Sequence, residues 1–181
     1  MTQQASLPKT GQKMGFDAAA VRAQFPILDQ QVNGKPLVYL DSAASAQKPQ
    51  MVLDTLNSAY SQTYANVHRG LHYLSEASTD LYESVRGKVA GLIGARSETE
   101  IVFTSGATMA LNLIAHCYGN TYLGEGDEVL ISVADHHANM VPWHLLGGRV
   151  GSKTVAAPVN VDGSFNMDQF KAHITPRTKI I

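Results

Sequence analysis

A chain of 181 residues with 44% hydrophobic and 16% charged side chains can bury a core, which excludes disorder by composition and suits one domain of ordinary size. Lys and Arg number 14 against 15 Asp and Glu, a balance that leaves no electrostatic footprint for nucleic acid or an anionic membrane. The single cysteine, Cys117, has no internal disulfide partner, and no apolar run approaches a membrane span or the core of a signal peptide. The expectation is a cytoplasmic protein.

Residues 1–15 are mostly polar and small, with no arginine and no amphipathic period, and read as a disordered tail. A short helix is expected after Asp17, which caps it, stopping at Pro26. Val38-Tyr39-Leu40 follows the turn pair Asn33-Gly34 and reads as a short strand. Pro49 then opens a helix to about Tyr64, with Val52, Leu53, Leu56, Ala59 and Tyr60 on one face. A second helix is predicted from about Ser75 to Leu92, where Leu81, Val85, Val89 and Leu92 are spaced for burial and Gly94 marks the end.

From residue 100 the pattern alternates. Strands are predicted at Ile101-Val102-Phe103, Val129-Leu130-Ile131 and Lys153 to Ala157, and a last one begins at Thr178. Helices are predicted at Ala107 to Tyr118, Ala138 to Leu146 and Met167 to Ile174, with a turn at Asp162-Gly163. Short unbroken apolar strands separated by helices specify an α/β fold, a mainly parallel sheet with flanking helices. Ligands of such sheets bind at the carboxyl ends of the strands, which directs attention to residues 104–108 and 132–138. The last strand stops at its second apolar residue, so the chain is expected to continue in the intact protein.

Four constellations carry candidate chemistry. Thr104-Ser105-Gly106-Ala107-Thr108 follows a strand and opens a helix, where free N–H groups, the helix dipole and the Thr108 hydroxyl suit a phosphate or carboxylate. The plainer reading is a turn capped by Ser105 or Thr108. Asp135-His136-His137-Ala138-Asn139 stands at the next strand end, where an imidazole can stack on an aromatic cofactor and exchange protons near neutral pH. A metal site there needs further acidic or histidine ligands that the sequence does not supply. The loop Tyr64 to His72 holds His68 and Arg69, and reads equally as a solvated connector or a carboxylate clamp. The small residues Ser42-Ala43-Ala44-Ser45-Ala46 admit close approach by a ligand, or form a flexible turn. Cys117 falls in step with Leu113 and Ile114, and is expected to be buried and structural rather than nucleophilic.

Taken together, the order and wording of these segments are more specific. Phe25-Pro26-Ile27-Leu28, Leu40 to Pro49, Tyr64-Ala65-Asn66-Val67-His68-Arg69-Gly70 and Asp135 to Trp143 closely resemble the SufS-type cysteine desulfurases. These belong to the class V aminotransferase superfamily of fold-type I pyridoxal-phosphate enzymes. The resemblance runs from about Asp17 to the last residue and matches only the first part of the family's sequence. It implies an N-terminal arm and an incomplete PLP-dependent transferase large domain over residues 16–181.

It also implies removal of sulfur from L-cysteine, giving L-alanine and an enzyme persulfide for iron–sulfur cluster assembly, in a homodimer that passes sulfur to an acceptor protein. By position, Gly106, Ala107 and Thr108 resemble the family's phosphate-binding turn. His136 resembles the histidine that stacks on the pyridine ring of pyridoxal 5'-phosphate and assists proton transfer. His68 and Arg69 resemble the loop that reaches the active site across the dimer interface, and Ala43 and Ala44 the small-residue loop near substrate.

Two departures stand out. The phosphate turn reads Gly-Ala-Thr-Met where relatives often carry Gly-Thr-Thr-Glu, so Ala107 lacks a hydroxyl and Met109 replaces a carboxylate. The family's cofactor-binding lysine, the aspartate paired with the pyridine nitrogen and the persulfide-forming cysteine have no match here. None of the lysines, Lys153 and Lys179 included, sits in the lysine motif. The 181-residue chain is therefore expected to be inactive by itself. Three other readings compete: a selenocysteine lyase or kynureninase-like relative, a non-catalytic interaction module, and, more weakly, a metal-dependent phosphohydrolase built on Asp135-His136-His137.

Overall fold

The computed structural model describes residues 15–181, so the tail expected over residues 1–15 lies outside the described residues except for Gly15. The chain divides into two compact units, Met1–Glu100 and Ile101–Ile181.

In the first unit, α1 (Ala18–Arg22) is capped by Asp17, whose carboxylate accepts from the N–H groups of Ala19 and Ala20 at 3.0 and 3.1 Å. Asn33 and Gly34 both adopt positive φ, 53° and 72°, the requirement of a tight hairpin turn. They join β1 (Gln31–Val32) to its antiparallel partner β2 (Lys35–Pro36). The strand expected at Val38–Leu40 is not formed; Val38 is 74% and Leu40 92% exposed. The turn signal was sound, but the pairing closes immediately around it and leaves the following apolar run unladdered. Arg22 ties α1 to this region by donating from Nη2 to the carbonyls of Leu28 and Leu37, at 2.6 and 2.8 Å.

Pro49 precedes α2 (Gln50–Ser58), which passes into a π-helical turn at Ala59–Thr63 and ends at extended Tyr64. The long helix α3 (Tyr73–Ile93) stops at Gly94, whose left-handed conformation (φ 72°) lets its N–H reach the Ala90 carbonyl. Both helices stand where their periodicity places them, but the burial expected of their apolar stripes is not found. Leu56 is 51% and Leu92 85% exposed, and Val52, Leu53, Tyr60, Leu81 and Val85 are exposed as well. Periodicity identifies which face is apolar; burial also needs a covering element, and α3 buries only Ser75 and Ala90.

The second unit carries the sheet. Its helical layer begins with α4 (Ala107–Ile114), continues through a π-helical turn at Ala115–Gly119 and ends in α5 (Asn120–Tyr122). Three strands follow: β3 (Glu128–Ser132), β4 (Lys153–Ala157) and β5 (Thr178–Ile180), with α6 (Val141–Val150) and α7 (Met167–Ala172) as the crossovers. All pairs are parallel, in the order β4-β3-β5, and β3 runs in register with β4 from Glu128↔Lys153 to Ser132↔Ala157. The fold is α/β, as the alternation requires. Ile101–Phe103 is not a member of this sheet. Its apolar character buries Ile101, but burial of an apolar run does not by itself place it in a ladder.

The core gathers Ala115, Leu123, Val129, Ile131, Trp143 and Leu146. A Cβ at Gly119 would collide with Leu146, so the π-helical turn meets α6 at a distance only glycine permits. That turn also overturns the reading of Cys117, which is exposed. The wider π turn buries Ala115 and Gly119, and the face carrying Leu113, Ile114 and Cys117 is the solvent side.

Candidate active site

Two of the four sequence constellations lie in the second unit, one at the start of α4 and one on the loop after β3. The turn before α4 places Gly106 at the helix N-cap in an extended conformation, φ 158° and ψ 175°. A Cβ there would touch nothing within 4 Å. No side chain caps α4, so the capping expected of Ser105 or Thr108 is not made. The Ser105 hydroxyl instead reaches the Met109 sulfur at 3.3 Å, and Thr104 Oγ1 donates to the Gly106 carbonyl at 3.1 Å. The first-turn N–H groups and the exposed Thr108 hydroxyl are thus left facing outward at the positive end of the helix dipole. Met109, one of the two departures noted in this turn, thus engages the Ser105 hydroxyl.

The second constellation is held from beneath. Asp135 Oδ2 accepts from the Ser132 N–H at 3.2 Å and from the Asn139 amide at 3.0 Å. Asn139 Oδ1 in turn accepts from the indole N–H of Trp143 at 3.1 Å. Trp143 is 3% exposed, so the loop at the carboxyl end of β3 is fastened to the core through a chain of hydrogen bonds. His136 stands on that loop, exposed, with Nδ1 accepting from the Ala138 N–H at 3.1 Å. With Nδ1 so engaged, the neutral ring carries its proton on Nε2, the nitrogen left for a ligand. His137 diverges from it, the rings 6.3 Å apart and perpendicular. The helix α4, which opens at Gly106, packs against the short 3₁₀ turn His137–Asn139 that follows His136. Sequence reasoning named His136 but passed over Asp135, Asn139 and Trp143 as its supports. The signal available was an Asp and Asn four apart, followed by an aromatic with a donor another four on.

The other two constellations lie in the first unit. Ala43 and Ala44 form an exposed turn closed by the Ala44 and Ser45 N–H groups on the Asp41 carbonyl, at 3.2 and 3.0 Å. The Tyr39 hydroxyl clips the same turn by donating to the Ser45 carbonyl at 2.6 Å, so this small-residue segment has a defined closure.

The loop between α2 and α3 is fastened in a different way. Buried Ser75 accepts from the Gly70 N–H at 3.0 Å and donates to the Asn66 carbonyl at 2.5 Å. A Cβ on Gly70 would fall on the Ser75 side chain, which is why glycine stands there. His68 adopts φ 68°, with Nε2 2.7 Å from Glu83 Oε1. Hydrogen bonds from Arg86 first, and then His68, hold the Glu83 carboxyl below its ordinary range. Arg69 is exposed. The loop over residues 64–72 is thus tied to α3 by hydrogen bonds at Asn66, His68 and Gly70.

Among the described residues, no three His, Cys, Asp or Glu side chains gather as a metal set. Residues 38–181 match the family model described as aminotransferase class-V. The chain belongs to the class-V aminotransferase family. Among relatives of this class-V chain, a probable cysteine desulfurase of Vibrio cholerae serotype O1 is 51% identical over 168 residues, covering 93% of this chain and 42% of that protein. A solved cysteine desulfurase of Escherichia coli, in its S-sulfonic acid form, superposes with a TM-score of 0.73 at 40% identity, covering 91% of this chain and 40% of the other. The apo cysteine desulfurase of Thermococcus onnurineus NA1 superposes at a TM-score of 0.75 with 31% identity, over 84% of this chain and 36% of that one. This class-V chain therefore spans about two-fifths of the length of these three relatives.

Proposed function

We propose that this chain is the cofactor-cradling front of a SufS-type, pyridoxal-phosphate-dependent cysteine desulfurase, which takes sulfur from L-cysteine and leaves L-alanine. The observation that carries the reading is the uncapped start of α4, a helix packed against the turn that follows the exposed imidazole of His136. An anion site beside a flat, protonatable ring fits a phosphorylated pyridine, and the fit needs no metal ligand set.

In this reading the amides of Ala107 and Thr108 and the Thr108 hydroxyl hold the phosphate, and Gly106 keeps the approach open. His136 lies on the face of the ring and holds or moves a proton at Nε2. Arg69 takes the substrate carboxylate in a fork, and the Ala43-Ala44 turn lets the substrate backbone come close. When bound, the cofactor supplies an electron sink for charge developing on the amino-acid carbon. Ala107 contributes its amide but no hydroxyl, so phosphate affinity rests more heavily on Thr108 than in relatives with two hydroxyl groups.

The same reading extends to a homodimer, to transfer of sulfur to an acceptor protein for iron–sulfur assembly, and to a cytoplasmic site of action. It also holds that the 181 residues alone lack desulfurase activity, since no stretch of them resembles the family's lysine motif. Two measurements test the proposal. Pyridoxal phosphate added to the purified chain is expected to quench Trp143 fluorescence saturably, and Thr108→Val is expected to weaken that binding about five- to tenfold, the scale of one charge-assisted hydrogen bond. Alanine released from L-cysteine by the 181-residue chain would overturn its inactivity. Absence of alanine from the complete gene product would overturn the desulfurase reading itself.

A further inference from the structure

His68 has a left-handed backbone (φ 68°), a conformation that costs a side-chain-bearing residue free energy unless its surroundings hold it there. Three contacts do so, all from one face of α3. The His68 N–H donates to Thr79 Oγ1 at 3.0 Å, Nε2 pairs with Glu83 Oε1 at 2.7 Å, and the ring stands edge-on to Tyr82 with centroids 5.6 Å apart. Thr79, Tyr82 and Glu83 are spaced three and four residues apart, so a single helical stripe makes the whole clamp. Arg86 continues the stripe one turn further, donating from Nε to Glu83 Oε2 at 2.8 Å and lying over the Tyr82 ring at 5.2 Å. Arg86 Nη2 also donates to Glu83 Oε1 at 3.4 Å, so the carboxylate that meets His68 is held by Arg86 on both oxygens.

The next residue is Arg69, exposed, and neither ion pair found among the described residues uses its guanidinium. We propose that Glu83 and Thr79 are positioning residues: they lock His68 in its left-handed conformation and so present the Arg69 guanidinium in a set direction to an anionic ligand. That the ligand is the substrate carboxylate rests on the function proposed above; the lock itself does not. The clamp replaces the loop flexibility that would otherwise be lost each time Arg69 closed on its partner, which is how a preorganised cation gains affinity without an added contact.

Trypsin reads the lock directly, because Arg69–Gly70 is a cleavable bond and Arg96–Ser97, beyond α3, is an internal reference. In the 181-residue chain, Glu83→Ala and Thr79→Val are each expected to speed cleavage after Arg69 about tenfold relative to Arg96, through easier local opening. Glu83→Gln, which keeps an acceptor oxygen on the same stem, is expected to return the ratio to within about threefold of the parent. An unchanged ratio in both variants, or equal acceleration at both bonds, would overturn the lock. In the complete active enzyme, Glu83→Ala is expected to raise KM for L-cysteine about tenfold, with kcat within about twofold, since uniform binding is what it removes. Faster cleavage with an unchanged KM would overturn the presentation of Arg69 to substrate. Faster cleavage in a protein with no desulfurase activity would support the lock and overturn the function alone.

Discussion

Asn139 shows how one side chain decides whether a loop is a site. It joins a buried indole to a carboxylate at the carboxyl end of β3; without it the indole N–H loses its acceptor and the Asp135 carboxylate keeps only the Ser132 N–H. Asn139→Leu is expected to cost about 1–3 kcal/mol in urea unfolding, the penalty of stranding polar groups that water reaches poorly. It should also shift Trp143 emission, because the indole N–H loses its acceptor. Glu83 makes a pH-dependent contribution. Its carboxyl is held below the ordinary value of 4.5 by Arg86 and then His68, so the contribution is present above about pH 4.5 and fades as pH falls through the lowered folded-state value. The melting-temperature difference between the parent and Glu83→Gln is therefore expected to be present at neutral pH and to shrink under strongly acidic conditions. Cys117 shows that phase within a helix is not exposure: it shares a face with Leu113 and Ile114, but that face is not the covered one.

At the scale of elements, the two π-helical turns interrupt α-helical periodicity at Ala59–Thr63 and Ala115–Gly119. The second sets the register of the core by bringing Ala115 and Gly119 inward against α6. Gly119→Ala is expected to destabilise the chain by about 1–3 kcal/mol, the usual cost of overpacking, because its Cβ would meet the fully buried Leu146. Thermal or chemical denaturation measures this directly. Element positions were well marked in the sequence. Asp17 and Pro49 announced the starts of α1 and α2, Gly94 the end of α3, and the alternation after residue 100 the order of β3, α6, β4, α7 and β5. The exceptions are Val38–Leu40 and Ile101–Phe103. Both are apolar enough for strands, but a strand exists only through a ladder with a neighbour, and no local signal names that neighbour.

At the scale of the molecule, the large apolar side chains that remain exposed among the described residues outnumber those in the core. Leu40, Leu71, Leu92, Val102 and Val161 are all more than two-thirds exposed. Surfaces of this kind drive association. The purified 181-residue chain is expected to bind the dye ANS strongly and to grow in light-scattering mass with concentration; a monodisperse monomer that does not bind the dye would contradict this.

The α/β alternation, the Asp17 cap, the Gly94 helix end and the resemblance around His68 and His136 were legible in the sequence, because each is a property of neighbouring residues. Tertiary structure alone decided which apolar face is covered, that Cys117 looks outward, that the His136 loop hangs from Trp143, and that His68 is locked by a helix face. Those outcomes depend on groups distant in sequence arriving at the same place, as with Thr79 and Glu83 at His68, or Leu146 at Gly119. Spacing along one segment records only that segment's own geometry.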